Sequence, residues 1–218
     1  MLLTREEFDE KYHQGSLCVA MVGMSNIGKS YRSRQMAKRK GFDRVCVDDS
    51  IGQELGFENE TKLAHWLNYP YQEGFLDRQS QYLEREGRIT KKYAEEATGN
   101  FFLDTTGSVI YVDPSIHDFL QENFLIVGLD AAESMIEVMM EEFFVHPKAL
   151  IWSEMFSQKK GENEIEALRH CYPKLLKDRM EKYRQLSDIL IPGELSRSPE
   201  ISADRFWEIL RNTLPKTR

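Results

Sequence analysis

The sequence predicts an α/β protein in which helices cover both faces of a central parallel sheet. Short apolar runs alternate along the chain with segments of helical spacing, an alternation typical of βαβ units. The run from Leu17 to Val22 is continuously apolar, as expected for a strand buried on both faces. A helix-compatible segment follows this strand and ends at Gly41. A length of 218 residues is ordinary for one domain, so we expect residues 1–218 to form a single unit.

The first half of the chain contains three of the predicted strands. Thr4 and Glu7 have the spacing of a capping box, which begins a short helix. The second strand is short and ends in the carboxylates Asp48 and Asp49, and Pro70 interrupts the helical section that follows. The elements predicted in this half are the helix 4–13, the strand 17–22, the helix up to residue 40, the strand 44–48, the helical section 60–86 and the strand 101–104.

The second half continues the alternation with two more strands. Pro114 marks a helix start, because proline is favoured in the first helical turn. The polar stretch SQKKGENE contains a glycine and indicates a mobile excursion. The elements predicted in this half are the helix from residue 114, the strand 124–129, the helix 131–145, the mixed segment 146–172, the helix 173–186, the strand 189–191 and the helix 202–214.

The composition describes a globular protein and excludes several kinds of partner. Hydrophobic residues make up 41% of the chain and charged residues 30%, which allows a real core. A net charge of −7 argues against a nucleic-acid partner, and no apolar run reaches membrane-spanning length. Three cysteines without metal-ligand spacing indicate reduced thiols and a cytoplasmic protein. We expect a monomer or weak homodimer with no nucleic-acid or membrane partner.

A phosphate-binding loop follows the first strand. Residues 23–30, GMSNIGKS, fit the pattern G-x-x-x-x-G-K-[ST] and stand between a strand and a helix, as that motif requires. The glycines let the backbone fold tightly, so that several N–H groups converge on a phosphate. Lys29 would reach the outer phosphates of ATP as a point charge, and the Ser30 hydroxyl would ligate Mg²⁺. The alternative is an ordinary glycine turn with an exposed lysine.

Two carboxylates near the ends of predicted strands are further candidates. Asp104 ends the apolar run FFLD, which is similar to a Walker B strand, and would bind Mg²⁺ directly or through water. The alternative for Asp104 is a carboxylate that caps a strand–turn junction. Asp48 is a candidate catalytic base or acceptor anchor, and its alternative is the N-cap of a helix over residues 49–55.

Several stretches, in order between about residues 16 and 214, together resemble the shikimate kinase family. They are the phosphate loop, Asp48 with Ile51, Gly74 to Arg78, Asp104 to Ser108, Lys148 to Ile151, Arg179 with Tyr183, Ser187 and Asp188, and Arg197 to Pro199. The resemblance implies a P-loop NTPase fold with three α/β/α layers, a central five-stranded parallel sheet and a helical lid. It also implies a substrate-binding helical section at about residues 50–98 and a lid region at about 146–178.

The motif and the resemblance together assign a role to each matched position. The residues that would bind ATP are Gly23, Ser25, Asn26, Ile27, Gly28, Lys29, Ser30, Tyr31, Arg197 and Pro199. The catalytic residues would be Lys29, Asp48, Lys148 and Arg179, the last two closing from the lid side. The acceptor would contact Asp48, Thr106, Gly107, Ser108 and Arg179, and Mg²⁺ would lie between Ser30 and Asp104. The alternative for Arg179 is an exposed charge on the wet face of a helix.

Four positions depart from the family pattern. Cys46 stands where the family has the first aspartate of Asp-x-Asp, and Leu76 where it has an arginine that binds the substrate carboxylate. Thr106 and Ser108 add side chains where the family has glycine. Because leucine cannot supply a bidentate charged fork, we expect shikimate to be a poor substrate and a polyol or sugar-like acceptor to be preferred.

The predicted function is an ATP-dependent kinase that transfers the γ-phosphoryl group to a hydroxyl of a small molecule. Two alternatives stay open: a nucleotide-binding protein without transfer activity, and a hydrolysing switch that signals to a protein partner. The missing arginine at Leu76 favours the first alternative, whereas the intact phosphate loop and Asp104 disfavour it. The switch needs a segment that senses the γ-phosphate, and we identify none.

Overall fold

The fold is built on a central parallel sheet. A computed structural model describes residues 2–57, 60–146 and 148–216 of the chain. The strands are β1 Cys18–Gly23, β2 Asp43–Cys46, β3 Phe101–Asp104, β4 Leu125–Asp130 and β5 Ile189–Pro192. Their order is β2-β3-β1-β4-β5, and every neighbouring pair is parallel. The predicted five-stranded parallel sheet is therefore confirmed.

Helices connect the strands and flank the sheet. Those in the described ranges are α1 Arg5–His13, α2 Lys29–Lys40, α3 Val47–Glu54, α4 Glu60–Leu67, α5 Phe75–Glu95, α6 Pro114–Asn123, α7 Met135–Val145, α8 Glu164–Leu186, α9 Gly193–Arg197 and α10 Ala203–Thr213. A short 3-10 helix, Val109–Tyr111, follows β3. Helices α2 and α10 pack against each other, and α6 and α8 both contact β4. Across the parts of the chain that are described, no helix has both the length and the apolar character needed to cross a membrane.

The central strands are apolar because both of their faces are covered. β3 is buried along its whole length, and β1 is buried from Val19 onward. At the carboxyl end of the sheet, Cys46 and Met21 flank Asp104 in register on either side. Open parallel sheets bind their ligands outside this end, so the fold gathers the candidate site there.

The second strand is shorter than the sequence predicts. It ends at Cys46, and α3 begins at Val47 without a side-chain cap. Asp48 therefore lies in the first turn of α3 and is not the N-cap of a later helix, so that alternative is wrong. A carboxylate in the first turn interacts favourably with the helix dipole, which compensates for the missing cap.

The helix predicted from Pro173 begins nine residues earlier, at Glu164. Asn163 and Glu166 form a capping box there, and this box determines the start of α8. Pro173 lies inside the helix, where it lacks an N–H donor. Proline favours the first turn of a helix, but the tertiary packing of α8 overrides this local preference.

Candidate active site

The lysine of the phosphate loop is buried and held by the loop itself. Its Nζ atom donates hydrogen bonds to the carbonyl oxygens of Gly23 (2.8 Å) and Met24 (3.0 Å). Burial lowers the pKa of Lys29, although the nearby carboxylates of Asp104 and Asp48 act in the opposite direction. Because Lys29 is only 7% exposed, the alternative of an exposed lysine on an ordinary turn is wrong. The ammonium group is held where a phosphate oxygen can replace the carbonyl contacts.

Two glycines are required by the shape of this loop. Gly28 has φ +106°, and a Cβ added there would lie 2.8 Å from the backbone oxygen of Ser196. Gly23 has φ +145°, and its added Cβ would lie 2.9 Å from the backbone oxygen of Leu129. A side chain at either position would be strained and would meet backbone atoms, which explains the glycines of the motif.

Two adjoining cavities open at the phosphate loop. The larger is a groove of about 560 Å³ lined by Asn26, Gly28, Lys29, Ser30, Tyr31, Arg34, Glu142, His146, Lys148 and Arg197. The smaller has about 80 Å³ and is lined by Ser25, Asn26, Lys29, Ser30, Asp48, Leu63, Lys148 and Ala149. Three of the residues expected to be catalytic, Lys29, Asp48 and Lys148, thus surround one space.

Asp104 is buried at the end of β3, beside the phosphate-loop helix. Its Oδ2 atom accepts hydrogen bonds from Ser33 Oγ (3.1 Å) and from Arg44 Nη2 (2.6 Å). Its Oδ1 atom is buried and has no hydrogen-bond partner within the described ranges. A buried carboxylate oxygen normally has a partner, so Oδ1 is the atom that remains for a metal ion or a metal-bound water.

The oxygen atoms at the loop are of the kind that binds a hard cation such as Mg²⁺. Mg²⁺ is usually held by one or two protein oxygens together with phosphates and waters, and Ser30 and Asp104 offer such oxygens. Burial, followed by the carboxylates of Asp104 and Asp48, raises the pKa of Cys46 to about 12, so this thiol stays protonated and is a poor ligand. The described residues contain no cluster of three or more His, Cys, Asp or Glu side chains that could hold a metal ion on its own.

Asp48, which lines the smaller cavity, accepts a hydrogen bond from a tyrosine that the sequence analysis did not identify. The Tyr82 hydroxyl donates a hydrogen bond to Asp48 Oδ1 at 3.1 Å. Tyr82 lies on α5 and is buried, which raises its pKa well above the usual value. The tyrosine therefore acts as a permanent donor, and it fixes the Asp48 carboxylate at the wall of the smaller cavity.

Thr106 and Ser108 direct their hydroxyls away from this cavity. Both hydrogen-bond to the carboxyl group of Glu86, with Ser108 Oγ at 2.6 Å from Oε2 and Thr106 Oγ1 against Oε1. Glu86 is completely buried on α5, and burial raises its pKa to about 8 despite the two hydroxyl donors. Glu86 thus engages both hydroxyls as donors, and the expected contact between them and an acceptor stays a prediction.

Arg179 is buried rather than exposed, so the alternative of a surface charge is wrong. It is 2% exposed and donates to the carbonyl oxygens of Gly107 (3.0 Å) and Ile151 (2.6 Å). Its Nε atom is buried without a hydrogen-bond partner among the residues described. Arg179 thus ties the turn after β3 to the segment after α7, and Nε is the donor left for an anionic group.

The loop on the far side of the groove is held by a buried arginine. Arg32 is fully buried and donates to four backbone carbonyl oxygens, those of Leu195, Ser196, Ser198 and Ile201. Ser196 Oγ donates to the carbonyl oxygen of Ile27 at 2.5 Å, and this bond joins the same loop to the phosphate loop.

Some of the residues predicted to bind the nucleotide line the groove, and others do not. Arg197 and Tyr31 line it, whereas Pro199 is exposed and lines neither cavity. Ile27 is fully buried, so only its backbone can face a ligand.

The fold and this site can be compared with known proteins. No protein-family model matches the sequence, and no curated protein matches it. Solved structures do match: the shikimate kinase of Acinetobacter baumannii in complex with shikimate superposes with a TM-score of 0.62 at 17% identity, covering 92% of this chain and 94% of that chain. The shikimate kinase of Aquifex aeolicus gives a TM-score of 0.60 at 15% identity, covering 90% of this chain and 97% of that one.

This chain has a shikimate-kinase-like fold. A third match, the shikimate kinase of Bacteroides thetaiotaomicron, agrees, with a TM-score of 0.61 at 14% identity over 89% of this chain and 98% of the other. The predicted P-loop NTPase architecture is thereby confirmed. At such low identity the likeness concerns the fold, and the chemistry has to be argued from the residues themselves.

Within this shikimate-kinase-like fold, the segment predicted as a lid divides into two parts. Residues 148–163 are irregular, whereas the part from Glu164 onward is the first half of α8 and contains buried residues. The described part of the predicted lid region, about residues 146–178, thus combines an irregular part with a helical part, and its extent stays a prediction. Gln79 Oε1 accepts hydrogen bonds from the backbone N–H groups of Trp152 (2.9 Å) and Ser153 (3.0 Å), and so anchors the start of the irregular part.

The irregular segment is also attached to α8 through a thiol. Cys171 Sγ accepts a hydrogen bond from the Ser157 backbone N–H at 3.3 Å and lies 3.4 Å from the Ser157 carbonyl oxygen. Cys171 is fully buried and forms no disulfide. Two buried side chains thus hold the first half of the segment, Gln79 at Trp152 and Ser153 and Cys171 at Ser157.

Leu76 does not occupy a buried acceptor pocket. Its side chain is 67% exposed on the first turn of α5, although the resemblance aligns it with a substrate-binding arginine. Arg78, two residues later, donates to the backbone oxygens of Leu67 and Glu73. Neither residue therefore supplies the carboxylate contact that the aligned arginine would make.

Proposed function

We propose that this protein is an ATP-dependent kinase that transfers the γ-phosphoryl group to a hydroxyl of a small molecule. The observation that carries the proposal is the placement of Lys29, Asp48 and Lys148 around one cavity that adjoins the nucleotide groove. A phosphate clamp, a carboxylate and a second cation at one small space are the parts that phosphoryl transfer needs.

The proposed reaction proceeds by direct transfer. The acceptor hydroxyl oxygen attacks the γ-phosphorus, its proton passes to the Asp48 carboxylate, and the bond to the β–γ bridging oxygen breaks to leave ADP. Lys29 leaves its carbonyl contacts to pair with the outer phosphates, and Lys148 balances charge from the opposite wall. Tyr82 keeps Asp48 oriented by its hydrogen bond.

Ser30 and Asp104 are the residues proposed to hold Mg²⁺, which when bound would neutralise the phosphates of the nucleotide. Asp104 has one oxygen left for this purpose, Oδ1, since Arg44 and Ser33 occupy the other. Arg44 thus fixes the carboxylate so that its remaining oxygen keeps one orientation.

The acceptor proposed is a neutral hydroxylated compound. Arg179 gives both terminal nitrogens to backbone carbonyls and keeps only Nε without a partner among the described residues, and Leu76 is exposed, so the site offers no bidentate charged fork for a carboxylate. The loss of one charged hydrogen bond to a buried carboxylate costs about 2–4 kcal/mol, or about 30- to 1,000-fold in recognition. Shikimate is therefore expected to be a poor substrate, with kcat/KM below about 10⁴ M⁻¹s⁻¹.

The test is a panel of sugars, polyols, nucleosides and shikimate with ATP and Mg²⁺, scored by ADP release above the background without acceptor. The Lys29→Ala variant is the matched control, because it removes the phosphate clamp. We expect at least one neutral acceptor to stimulate ADP release by tenfold or more in the wild type and not in the variant. Shikimate turnover at or above about 10⁴ M⁻¹s⁻¹ would contradict the acceptor class.

A second candidate function is nucleotide binding without transfer. The contacts of the expected acceptor residues favour it. The Thr106 and Ser108 hydroxyls donate hydrogen bonds to Glu86, and both terminal nitrogens of Arg179 donate to backbone carbonyl oxygens. Tight binding of Mg·ADP together with no stimulation by any acceptor in the panel would favour this candidate over the kinase.

A further inference from the structure

A carboxylate spans the nucleotide groove at a place that the proposed mechanism does not use. Glu142 lies on α7 and lines the groove opposite the phosphate loop. Its Oε1 atom accepts a hydrogen bond from Arg197 Nη2 at 2.8 Å, and its Oε2 atom lies 3.4 Å from Asn26 Nδ2. The Glu142 side chain, which belongs to α7, therefore contacts both the phosphate loop and α9.

The backbone around Arg197 is already fixed, but its side chain is not. Arg32 donates to the backbone oxygens of Leu195, Ser196 and Ser198, which lie on both sides of Arg197. The Ser196 hydroxyl donates to the Ile27 carbonyl oxygen and so joins the end of α9 to the phosphate loop. The hydrogen bond found for the guanidinium of Arg197, within the described ranges, is the one to Glu142. Because the pair is about one-third exposed, the guanidinium depends on this contact for its orientation in the groove.

We propose that Glu142 is a positioning residue of the nucleotide site, which holds the guanidinium of Arg197 in the groove. Arg197 lines the groove but not the smaller cavity, so it lies away from the proposed transfer site and faces the base and ribose end of a bound nucleotide. This inference rests on the nucleotide site of the proposed function but not on transfer to an acceptor. Glu142 acts through Arg197 and does not itself contact the phosphates. An arginine held in advance loses less conformational freedom when the ligand binds, so the pair raises affinity.

The neighbouring residue provides a matched control. Glu141 forms an ion pair of similar length with Arg169 of α8, at 2.7 Å, but lines neither cavity at the phosphate loop. Glu141→Gln and Glu142→Gln therefore remove the same charge and the same kind of ion pair from adjacent positions of one helix. Only the second removes a contact inside the groove.

The experiment compares two ligands that differ in the base end. Calorimetric titrations with Mg·ADP and with Mg·pyrophosphate are made on the wild type, Glu141→Gln, Glu142→Gln, Arg197→Gln and the Glu142→Gln/Arg197→Gln double variant. We expect Glu142→Gln to weaken Mg·ADP three- to tenfold and to leave Mg·pyrophosphate within twofold. Glu141→Gln should leave both within twofold. In the Arg197→Gln background, Glu142→Gln should add less than twofold, because its partner is already gone.

Several results would overturn the inference. If Glu142→Gln changes pyrophosphate and ADP affinity alike, or tightens ADP, the carboxylate acts on the phosphates by charge and not through Arg197. An equal effect of Glu142→Gln with and without Arg197 has the same meaning. Glu142→Asp serves as a second variant that keeps the charge and shortens the reach, and it should lose ADP affinity as Glu142→Gln does.

The failure of this inference can be told from the failure of the proposed function. A wild type that binds neither ligand refutes the nucleotide site and this inference together. A wild type that binds Mg·ADP but phosphorylates no acceptor refutes only transfer, and the comparison of Glu142→Gln with Glu141→Gln still decides the role of Glu142.

Discussion

Glu86 shows how a single buried group can shape the acceptor side. Its carboxyl group is enclosed by Thr106, Ser108 and Tyr82, and no lysine or arginine forms an ion pair with it among the described residues. Burial without a paired cation favours the neutral form, and this explains the raised pKa of about 8. Asp48 raises this pKa further, whereas Arg179 lowers it.

The raised pKa predicts a pH-dependent stability. The unfolded chain releases the proton of Glu86 near pH 4.5 and the folded chain near pH 8, so the folded state binds more protons between these values. The free energy by which the protonated Glu86 stabilises the fold is therefore fully present below pH 4.5, and it falls as the pH rises. The decrease levels off above about pH 8 and amounts to at most about 1.4 kcal/mol for each unit by which the pKa is raised. Thermal unfolding from pH 5 to 9 should show Glu86→Gln gaining on the wild type as the pH rises.

The control for this prediction is Glu84→Gln, an exposed position on the same helix. It should keep the slope of the wild type over the whole range. Parallel unfolding profiles for the wild type and Glu86→Gln would show that Glu86 is ionised in the folded protein.

Two substitutions on neighbouring strands test whether Asp104, and not Cys46, contributes to Mg²⁺ binding. Asp104→Asn should raise the Mg²⁺ concentration needed for half-maximal activity by about tenfold or more, because an amide oxygen is a weaker ligand for a hard cation. Cys46→Ser should stay within about twofold, since neither group is an anionic ligand at neutral pH. The measurement is an Mg²⁺ titration of ADP release, and superimposable curves for Asp104→Asn and the wild type would refute the assignment.

Single residues can be selected from the sequence where their signal is contiguous, and they escape notice where it is not. Lys29 and Ser30 belong to an eight-residue motif that can be read directly from the chain. Glu86 stands among other charged residues of α5 and meets Thr106 only after the chain has folded, so nothing local marks it. Arg32 and Glu142 were missed for the same reason: their partners lie far away along the chain.

At the scale of elements, the segment 148–163 is the part best suited to move. It has no regular structure, and most of the polar SQKKGENE stretch follows the last anchored residue, Ser157. A kinase must exclude water from the transferring phosphoryl group, and a closing segment serves that purpose.

Hydrogen exchange should reveal this closure. Amides in residues 153–163 should exchange more slowly when Mg·ADP and an acceptor are bound, whereas amides of the buried β3 should not change. Equal exchange in residues 153–163 with and without ligands would mean that the segment is a static part of the surface.

The boundaries of elements were less predictable than the elements themselves. The residues of the capping box, Asn163 and Glu166, are present in the sequence, but Pro173 is a stronger local signal for a helix start and places the predicted start too late. The start of α3 at Val47 has no cap and no sequence signal, because the first turn is stabilised instead by its own carboxylates and by packing.

At the scale of the whole molecule, the two sides of the site differ in how far they follow from the sequence. The nucleotide side depends on a strand, a loop and a helix that are consecutive in the chain, and the fold is shared with shikimate kinases at only 14–17% identity. The acceptor side is assembled from α3, α5, α8 and the turn after β3. Its chemistry depends on side chains from four separate elements, and the sequence order alone does not show which of them meet.

The buried thiol of Cys171, which contacts the irregular segment, provides a chemical probe of the movement of that segment. Cys171 is closed to solvent by its contacts with Ser157, so an alkylating reagent can reach it only while that segment is lifted away. When reclosing is faster than alkylation, the rate of covalent labelling at this sulfur then measures the fraction of time for which the segment is open, and each labelled molecule gains one added mass at Cys171. Cys46, buried near Asp104 and Asp48 at the phosphate loop, would record access to the site itself. The half-buried Cys18, at the opposite end of β1, gives an internal reference within the same molecule.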